Sequence, residues 1–395
     1  MAGEGQTATA NGLTPARRSA VAPFLAMDVF KEAARLAQSG RDIVRMEAGE
    51  PGAPAPRRVR EAAIAALQDG RIGYTQTLGL PALREAIAQH YQRTYGVSVE
   101  PSRVAVTTGS SGGFILAFLG LFDAGARVAI ASPGYPAYRN ILEALGVDVV
   151  SLSTRAEDRY VVTAAAIEAA HARQKLDGVL LMSPANPTGT MMSEAVLAGI
   201  CASCDRLGIT FISDEIYHGL TYAFAAQTAL KYSRNAVIVN SFSKYYCMTG
   251  WRIGWLVLPE PIIRPVEKLA QSLAISAPTL SQIAAQAAFG AGDELELVKR
   301  GYEQSRLMLM QELPAIGFGD FHPVDGAFYV YVDVSRFTND SMDFCKRMLQ
   351  EAGVAATPGV DFDREDGAHA LRLSFAGAPD DVDKGIARLK SWLKK

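Results

Sequence analysis

The sequence contains no run of about eighteen apolar residues, so we expect no membrane-spanning helix. Its formal net charge is only −2 at pH 7, which gives no electrostatic reason to expect nucleic acid or an anionic membrane as a partner. The chain has only 4 cysteines, unevenly placed, which is too few for a disulfide framework in a protein of 395 residues. These absences leave small molecules as the expected partners and a reducing cytoplasm as the expected location.

Two of the cysteines, Cys201 and Cys204, have the spacing of a metal-binding or redox pair. They fall in a stretch with helical character before Gly208, and neither a second cysteine pair nor a histidine couple lies near them in the sequence. We therefore interpret them as two cysteines on one helix and predict no metal site.

The length of the chain indicates more than one compact core, so we expect two packed lobes. Residues 1–20 are small, polar and lightly basic, and we expect them to form a disordered leader. Three later stretches have the apolar spacing of amphipathic helices, at 26–39, 57–69 and 83–95.

From Val104 onward, short apolar runs alternate with helical segments, which predicts a mainly parallel sheet in the larger lobe. Beyond about residue 300, the order helix, strand, helix, strand, helix predicts a second, smaller α+β lobe. The candidate strands of the larger lobe are 104–107, 128–131, 179–182, 209–212, 237–239 and 254–258.

The run from Ser241 to Arg252 combines an amine, Lys244, with hydroxyls and a guanidinium. This combination suits a carbonyl cofactor that carries a phosphate, because the lysine binds the aldehyde while Ser241, Ser243 and Arg252 hold the dianion. Pyridoxal phosphate fits it best. A lysine and an arginine in one loop are, by themselves, more often a solvated charged surface. Here the β-like run 236–240 places the lysine at the carboxyl end of a strand, where open α/β sheets bind ligands.

A glycine-rich turn, Gly109–Gly113, follows a predicted strand and precedes an apolar helix. Its small residues allow close approach of an anion, and the helix amides supply donors, so Ser110, Ser111 and Gly112 form a candidate phosphate cradle. A turn of this kind can also be purely structural.

The same turn also matches the nucleophile elbow of α/β-hydrolases, in which Ser111 would be the acylating serine. Asp214 followed by His322 or His369 would complete the triad in the required order. Neither histidine has a supporting context, and this alternative leaves Lys244 without a role.

Asp214 ends a predicted strand. A carboxylate buried there needs a partner, and a protonated pyridine nitrogen is a suitable one. Tyr217, three residues later, is placed to donate to the phenolic oxygen of the cofactor. An aspartate in this position can alternatively be a helix cap.

Asn186 lies between two prolines in a turn after another predicted strand, and its amide is a candidate donor to the same phenolic oxygen. Tyr135 also follows a strand, and its ring is a candidate to stack on the pyridine. Each also has an ordinary interpretation, as a turn residue and as a packing aromatic.

Together these elements resemble the class I/II aminotransferases of pyridoxal-phosphate fold type I, the aspartate aminotransferase superfamily. The matching segments occur in the order of that family, from about residue 45 to 376. They are Tyr74 with Gly79 and Leu83-Arg84, the glycine-serine turn, Pro133-Gly-Tyr-Pro, Asn186-Pro-Thr-Gly, Asp214-Glu-Ile-Tyr217, Ser241-Phe-Ser-Lys244, Met248-Thr-Gly-Trp-Arg252 and Leu371-Arg-Leu-Ser-Phe-Ala376.

The resemblance implies an α/β fold with a large domain, built on a mainly parallel seven-stranded sheet, and a smaller α+β domain. It assigns residues 49–290 to the large cofactor-binding domain, 291–395 to the small domain, and 21–48 to an N-terminal segment that joins the small domain. It also implies a homodimer with shared active sites, in which Tyr74 reaches the phosphate of the neighbouring subunit.

The resemblance also implies individual roles. Lys244 would hold the internal aldimine and then move the proton, Asp214 would pair with the pyridine nitrogen, and Arg372 would clamp the substrate α-carboxylate, assisted by the backbone near Gly49. Asn186 and Tyr217 would contact the phenolic oxygen, and Tyr135 the ring. The phosphate would be held by Ser110, Ser111, Gly112, Ser241, Ser243 and Arg252.

Two positions depart from the common pattern of the family. Gly52-Ala53 stands where relatives often have Asp-Phe, and Phe362-Asp363 stands where Phe-Gly often follows the Pro-Gly turn. Both affect the entrance loop and the side-chain pocket, so the sequence does not specify the substrate.

We therefore predict an aminotransferase that moves an amino group from an amino acid to a 2-oxo acid in two ping-pong half-reactions. The main alternative is a carbon–sulfur lyase or cyclising synthase of the same fold. A non-catalytic binding module, as in regulators fused to a DNA-binding domain, is disfavoured because the leader is short and polar and the lysine is intact.

Overall fold

The computed structural model describes residues 13–319 and 321–394. Of the predicted leader, residues 1–12 lie outside the described residues, and Arg17–Ser19 forms one exposed 3-10 turn. Within the described ranges, no helix is both long enough and apolar enough to cross a membrane. The same ranges contain no group of three or more histidine, cysteine, aspartate or glutamate side chains that could hold a metal ion.

The N-terminal part of the chain forms three helices and one short strand. These are α1 (Leu25–Gln38), β1 (Val44–Arg45), α2 (Arg57–Asp69) and α3 (Pro81–Tyr95). The three predicted helices are confirmed to within two residues at each end. Helices α2 and α3 stop where Gly70 and Gly96 adopt left-handed φ values of 73° and 69°, a conformation that favours glycine.

The largest element is a seven-stranded sheet whose faces are covered by helices. Its strands are β2 (Val104–Thr107), β3 (Arg127–Ser132), β4 (Asp148–Ser153), β5 (Gly178–Met182), β6 (Thr210–Asp214), β7 (Val237–Ser241) and β8 (Gly254–Val257). Its helices are α4 (Gly109–Leu121), α5 (Pro136–Ala144), α6 (Ala164–Arg173), α7 (Glu194–Leu207), α8 (Glu260–Leu273) and α9 (Thr279–Ala288).

The strand order is β2-β8-β7-β6-β5-β3-β4, and β8 alone runs antiparallel to its neighbours. The predicted, mainly parallel sheet is therefore confirmed. Strand β4 was not predicted, because this edge strand pairs on one side only and buries Leu152 while its other residues stay at least partly exposed. Such a strand has no continuous apolar run in its sequence.

Side chains alternate between the two faces of the sheet, and each face has its own apolar core. In β5, Val179 and Leu181 pack on one side with α2, α3, α6, α7 and α9. Leu180 packs on the other side with α4, α5 and α8. Burial on both faces explains why the central strands are nearly continuous runs of apolar residues.

The C-terminal part forms a separate small sheet and a third core. Its elements are α10 (Gly292–Ala315), β9 (Tyr329–Asp333), α11 (Ser341–Arg347), β10 (Val354–Ala355), β11 (Thr357–Pro358), β12 (Ala370–Ser374) and α12 (Pro379–Trp392). Strands β11, β12 and β9 pair antiparallel. Strand β10 pairs in parallel with β1, which attaches the N-terminal segment to this part of the chain.

Candidate active site

Strands β2, β3, β5, β6 and β7 point the same way, so their carboxyl ends lie along one edge of the large sheet. A cleft of about 430 Å³ opens at this edge, and its opposite wall comes from α1, the loop after β1, β9 and β12. Eleven of the predicted site residues line the cleft: Gly49, Ser110, Ser111, Tyr135, Asn186, Asp214, Tyr217, Ser243, Lys244, Arg252 and Arg372.

Three predicted site residues lie outside the lining of this cleft. Gly112 lines a separate cavity between α4 and α8. Ser241 is buried behind Ser243, with its hydroxyl oxygen 2.8 Å from the Ser243 hydroxyl oxygen. Tyr74 is 82% exposed and lies on the surface.

Lys244 lies in the cleft, where its Nζ donates a hydrogen bond to the carbonyl oxygen of Gly49 at 2.6 Å. The pKa of Lys244 is lowered to about 8, mainly because burial removes solvent from the amine and secondly because Arg372 is positively charged. Near physiological pH, the Lys244 amine is therefore unprotonated in part of the molecules. Only the unprotonated amine can act as a nucleophile.

Asp214 is 1% exposed at the carboxyl end of β6. One carboxylate oxygen accepts a hydrogen bond from the Tyr138 hydroxyl, and the other accepts one from the backbone N–H of Ile216 at 3.0 Å. Burial raises the pKa of Asp214 to about 7. No helix begins at this residue, so the helix-cap interpretation is wrong. A cationic group in the cleft would stabilise this carboxylate.

The first turn of α4 combines groups that suit an anion. Thr108, the residue before the helix, makes no side-chain cap, so the amides of the first turn have no such partner. A Cβ atom at Gly109 would overlap the guanidinium of Arg252, so the arginine lies directly against the first residue of α4. Backbone donors, the helix dipole and a guanidinium together suit a phosphate.

Arg372 is 4% exposed, and its guanidinium is held in one orientation. Its Nη1 donates to Asn186 Oδ1 at 3.0 Å, and its Nη2 donates to the carbonyl oxygen of Glu47 at 2.5 Å. The guanidinium carbon lies 4.4 Å from the ring centre of Tyr329 and 4.8 Å from that of Phe362. A guanidinium fixed between two rings presents a planar fork that matches a carboxylate.

Several residues of the cleft were not predicted. The Tyr329 hydroxyl is 2.7 Å from that of Tyr217, and a Cβ atom at Gly49 would overlap it. The Tyr138 hydroxyl donates a hydrogen bond to the Asp214 carboxylate, a contact that was also not predicted. In the sequence, both tyrosines look like ordinary aromatic residues of a strand or helix that pack in the core. No local pattern identifies them as residues of the site. Phe24, Ala26, Met27 and Phe30 of the α1 region also line the cleft.

The hydrolase alternative is wrong. All five histidines lie in the described part of the chain, and none lines the cleft that contains Ser111. Asp214 bonds Tyr138 and the backbone of Ile216, so no serine, histidine and aspartate triad forms.

A sequence model of the family described as "Aminotransferase class I and II" matches residues 41–389. The chain belongs to the class I and II aminotransferases. It is 50% identical over 382 residues to a valine–pyruvate aminotransferase of Mycobacterium tuberculosis, and the match covers 96% of this chain and 98% of that protein. The enzyme is therefore an aminotransferase, as the sequence motifs predicted.

Solved structures agree with this aminotransferase fold. A crystal structure of an aminotransferase from Mycobacterium tuberculosis has a TM-score of 0.94 at 50% identity, covering 96% of this chain and 99% of that chain. The aspartate aminotransferase from Thermus thermophilus with maleate has a TM-score of 0.90 at 30% identity, covering 95% and 99%. The predicted fold class is confirmed.

Proposed function

We propose that this aminotransferase uses pyridoxal 5'-phosphate and moves the amino group of a neutral aliphatic amino acid, such as valine, to pyruvate. The observation that carries the substrate proposal is the 50% identity, over nearly the whole chain, to an enzyme named valine–pyruvate aminotransferase. When bound, the cofactor supplies an electron-withdrawing ring that stabilises negative charge on the substrate α-carbon.

The residues of the cleft fit this cofactor. Lys244 provides the amine that attaches it, and the buried Asp214 provides a carboxylate for its ring nitrogen. Asn186 and Tyr217 provide polar groups for its phenolic oxygen, and Tyr135 a ring to stack on. The phosphate is assigned to the N-terminus of α4, including the backbone of Gly112, and to the side chains of Ser110, Ser111, Ser243 and Arg252, with Ser241 behind Ser243.

The remaining groups act on the substrate. Arg372 binds the α-carboxylate through its fork and so orients the bond to be broken, while the main chain at Gly49 keeps the Lys244 amine in the cleft. With the cofactor and substrate bound, the Nζ of Lys244, once free of its bond to the cofactor, would be the group that takes the proton from the substrate α-carbon. The reverse half-reaction uses the same groups with the 2-oxo acid.

The wall opposite the cofactor residues supports a neutral side chain. Phe24, Met27 and Phe30 line it, and the Phe24 ring packs edge-on against Tyr135 with ring centres 5.8 Å apart. An apolar wall stabilises a branched aliphatic side chain through burial of its methyl groups.

The proposal is tested by loading the purified protein with pyridoxal phosphate and adding single amino acids. We expect the visible absorbance of the lysine-bound cofactor to disappear with valine and to return with pyruvate. A panel of donors and oxo acids then gives the kcat/KM of each pair. Absence of cofactor absorbance, or a preference for aspartate over valine, would refute the proposal.

The exposed apolar surface supports a homodimer. Ile115, Leu273 and Ile275 are 39%, 57% and 49% exposed, although none belongs to the cleft. Tyr74 lies beside this surface, because the neighbouring Thr75 N–H donates to Ser276 Oγ at 3.4 Å. A second subunit would cover the patch and give Tyr74 a phosphate to contact.

Sedimentation equilibrium tests this assembly. Leu273→Glu should give monomers and lower activity, whereas Tyr74→Phe should remain dimeric and bind the cofactor less tightly, because only the hydroxyl is lost. If the wild-type protein proved to be monomeric, the homodimer proposal would be wrong.

We also propose the domain limits 49–290 and 291–395, with 21–48 joined to the second. The pairing of β1 with β10 supports the assignment of the N-terminal segment. A reducing, cytoplasmic location is supported by the four cysteines, which are all free and buried.

A further inference from the structure

Three cations line the cleft among the described residues, Lys244, Arg252 and Arg372. Under the proposed function, each already has a partner: the cofactor aldehyde, its phosphate and the substrate α-carboxylate. A substrate with a second carboxylate, such as aspartate or 2-oxoglutarate, therefore needs one more cation close to the cleft.

Arg45 stands directly behind the wall of the cleft, because it contacts two of the residues that line it. Its Nε donates to Glu47 Oε1 at 2.5 Å, and its guanidinium carbon lies 4.4 Å from the ring centre of Phe30. Arg45 is the last residue of β1, and Glu47 lies in the bend two residues later, which brings the two side chains into contact.

Glu47 lies beside the proposed carboxylate clamp, since its own carbonyl oxygen accepts the hydrogen bond from Arg372 Nη2. Its side chain is 1% exposed, and its Oε2 has no hydrogen-bond partner within the described residues. A buried carboxylate that lost its one arginine would be strongly destabilised. Glu47 therefore holds Arg45 firmly.

We propose that Glu47 determines the substrate class by neutralising Arg45, so that the described residues of one subunit offer the cleft no free cation for a distal carboxylate. The enzyme then discriminates against dicarboxylic amino acids and oxo acids and accepts those with neutral side chains. This inference rests on the proposed function and gives a physical reason for a preference for pyruvate over 2-oxoglutarate.

Glu47 and a distal substrate carboxylate would compete for Arg45. A dicarboxylate that recruited Arg45 would leave Glu47 buried and unpaired, while a neutral side chain makes no such demand. Replacing Glu47 by glutamine keeps the shape and removes the competing charge. Arg45 then becomes available to a substrate carboxylate.

The experiment compares Glu47→Gln, Arg45→Gln and the double variant with the wild type. Glu32→Gln is the matched control, because Glu32 is also paired with an arginine, Arg35 at 2.8 Å, but lies on an exposed part of α1. Two quantities are measured: the ratio of kcat/KM for 2-oxoglutarate to that for pyruvate with one donor, and the dissociation constants of maleate and 3-methylbutanoate by calorimetry.

We expect Glu47→Gln to raise the 2-oxoglutarate to pyruvate ratio and the affinity for maleate by about tenfold, with 3-methylbutanoate unchanged. The double variant should return to the wild-type ratio, and Glu32→Gln should not change it. Arg45→Gln alone leaves the Glu47 carboxylate unpaired beside the cleft, so it should lower the ratio. An unchanged or higher ratio in this variant would contradict the inference even if Glu47→Gln fails to fold.

An unchanged ratio in folded Glu47→Gln would overturn the inference. So would a loss of maleate binding in the double variant, where neither charge remains, because Arg45 would then already be a substrate ligand in the wild type. The inference and the proposed function fail separately. If valine and pyruvate proved poor substrates while maleate binding changed as expected, the donor assignment would fall and the role of Glu47 would stand.

Discussion

The low pKa of Lys244 comes from its surroundings rather than from its residue type. An exposed lysine is almost fully protonated at neutral pH. In the cleft, desolvation and the charge of Arg372 lower its pKa to about 8. Its Nζ is also held by the carbonyl oxygen of Gly49, a residue from a part of the chain about two hundred positions away.

Replacing Lys244 by alanine should lower kcat by at least about a hundredfold, because the proposed proton carrier is lost. The anion site at α4 and Arg252 should still retain some cofactor, which dialysis followed by absorbance would measure. Lys244→Arg serves as a control that keeps a positive charge without a nucleophilic amine. Appreciable turnover in either variant would contradict the assigned role.

Arg372→Lys keeps the charge but replaces the planar fork by a single ammonium group. The contacts to Asn186 and Glu47 then cannot both be made in the same geometry. We expect the Michaelis constant to rise about tenfold for every α-amino acid, whatever its side chain. Steady-state kinetics with alanine and valine checks this, and an unchanged constant would exclude Arg372 from the site.

Helix α1 forms the apolar wall of the cleft and is fixed at its start. The Asp361 carboxylate accepts hydrogen bonds from the N–H groups of Leu25 and Ala26 at 3.0 and 3.1 Å. These are donors that a helix cannot satisfy internally, and a carboxylate there also interacts favourably with the helix dipole. Asp361 therefore positions side chains that lie several residues away from it.

Asp361→Ala should loosen α1 and raise the Michaelis constant for valine about fivefold, with little change in kcat. Alanine is the matched control substrate, because its methyl group is too short to depend on the apolar wall. Asp361→Asn, which keeps one acceptor oxygen, should restore part of the effect. Equal increases for valine and alanine would show that Asp361 acts on the whole site instead.

The assembled protein places two buried carboxyl groups, Asp214 and Glu215, between its cores. Burial raises the pKa of Asp214 from 3.8 to about 7 and that of Glu215 from 4.5 to about 8. A carboxyl group with a raised pKa in the folded state stabilises the fold fully below its unfolded pKa. That contribution is lost as the pH rises through the folded pKa.

The cofactor-free protein should therefore lose stability between about pH 4 and pH 7, on the order of a few kcal/mol for Asp214. Asp214→Asn should remove the part due to this residue, while Glu215 continues to contribute up to about pH 8. Urea unfolding at several pH values measures both. If wild type and Asp214→Asn had parallel stability curves, the buried carboxylate would not have the assigned pKa.

The polar residues of the cleft come from short segments that follow the strands of the large sheet. Ser110, Asn186, Asp214 and Lys244 each follow an apolar run. Parallel strands bring their carboxyl ends to one edge, so identifying the strands was enough to expect these residues together. The fold class followed from the same alternation of strands and helices.

Other features could not be read from local patterns. Strand β4 lacks a continuous apolar run, and Tyr329, Arg45 and Glu47 resemble core or surface residues. Phe30 has the spacing of any amphipathic helix, and Tyr135 and Phe24 meet only because α1 packs against the loop after β3. These contacts join segments far apart in the chain.

Local sequence determines which residues form helices, strands and turns, because spacing and capping act within a few positions. Contacts such as β1 with β10, or Arg372 with Asn186 and Glu47, depend on the packing of whole cores against one another. Motifs therefore revealed the reaction in advance. The apolar wall of the cleft, and the pairing of Arg45 with Glu47 behind it, depend on the tertiary structure, because they form only when those cores pack together.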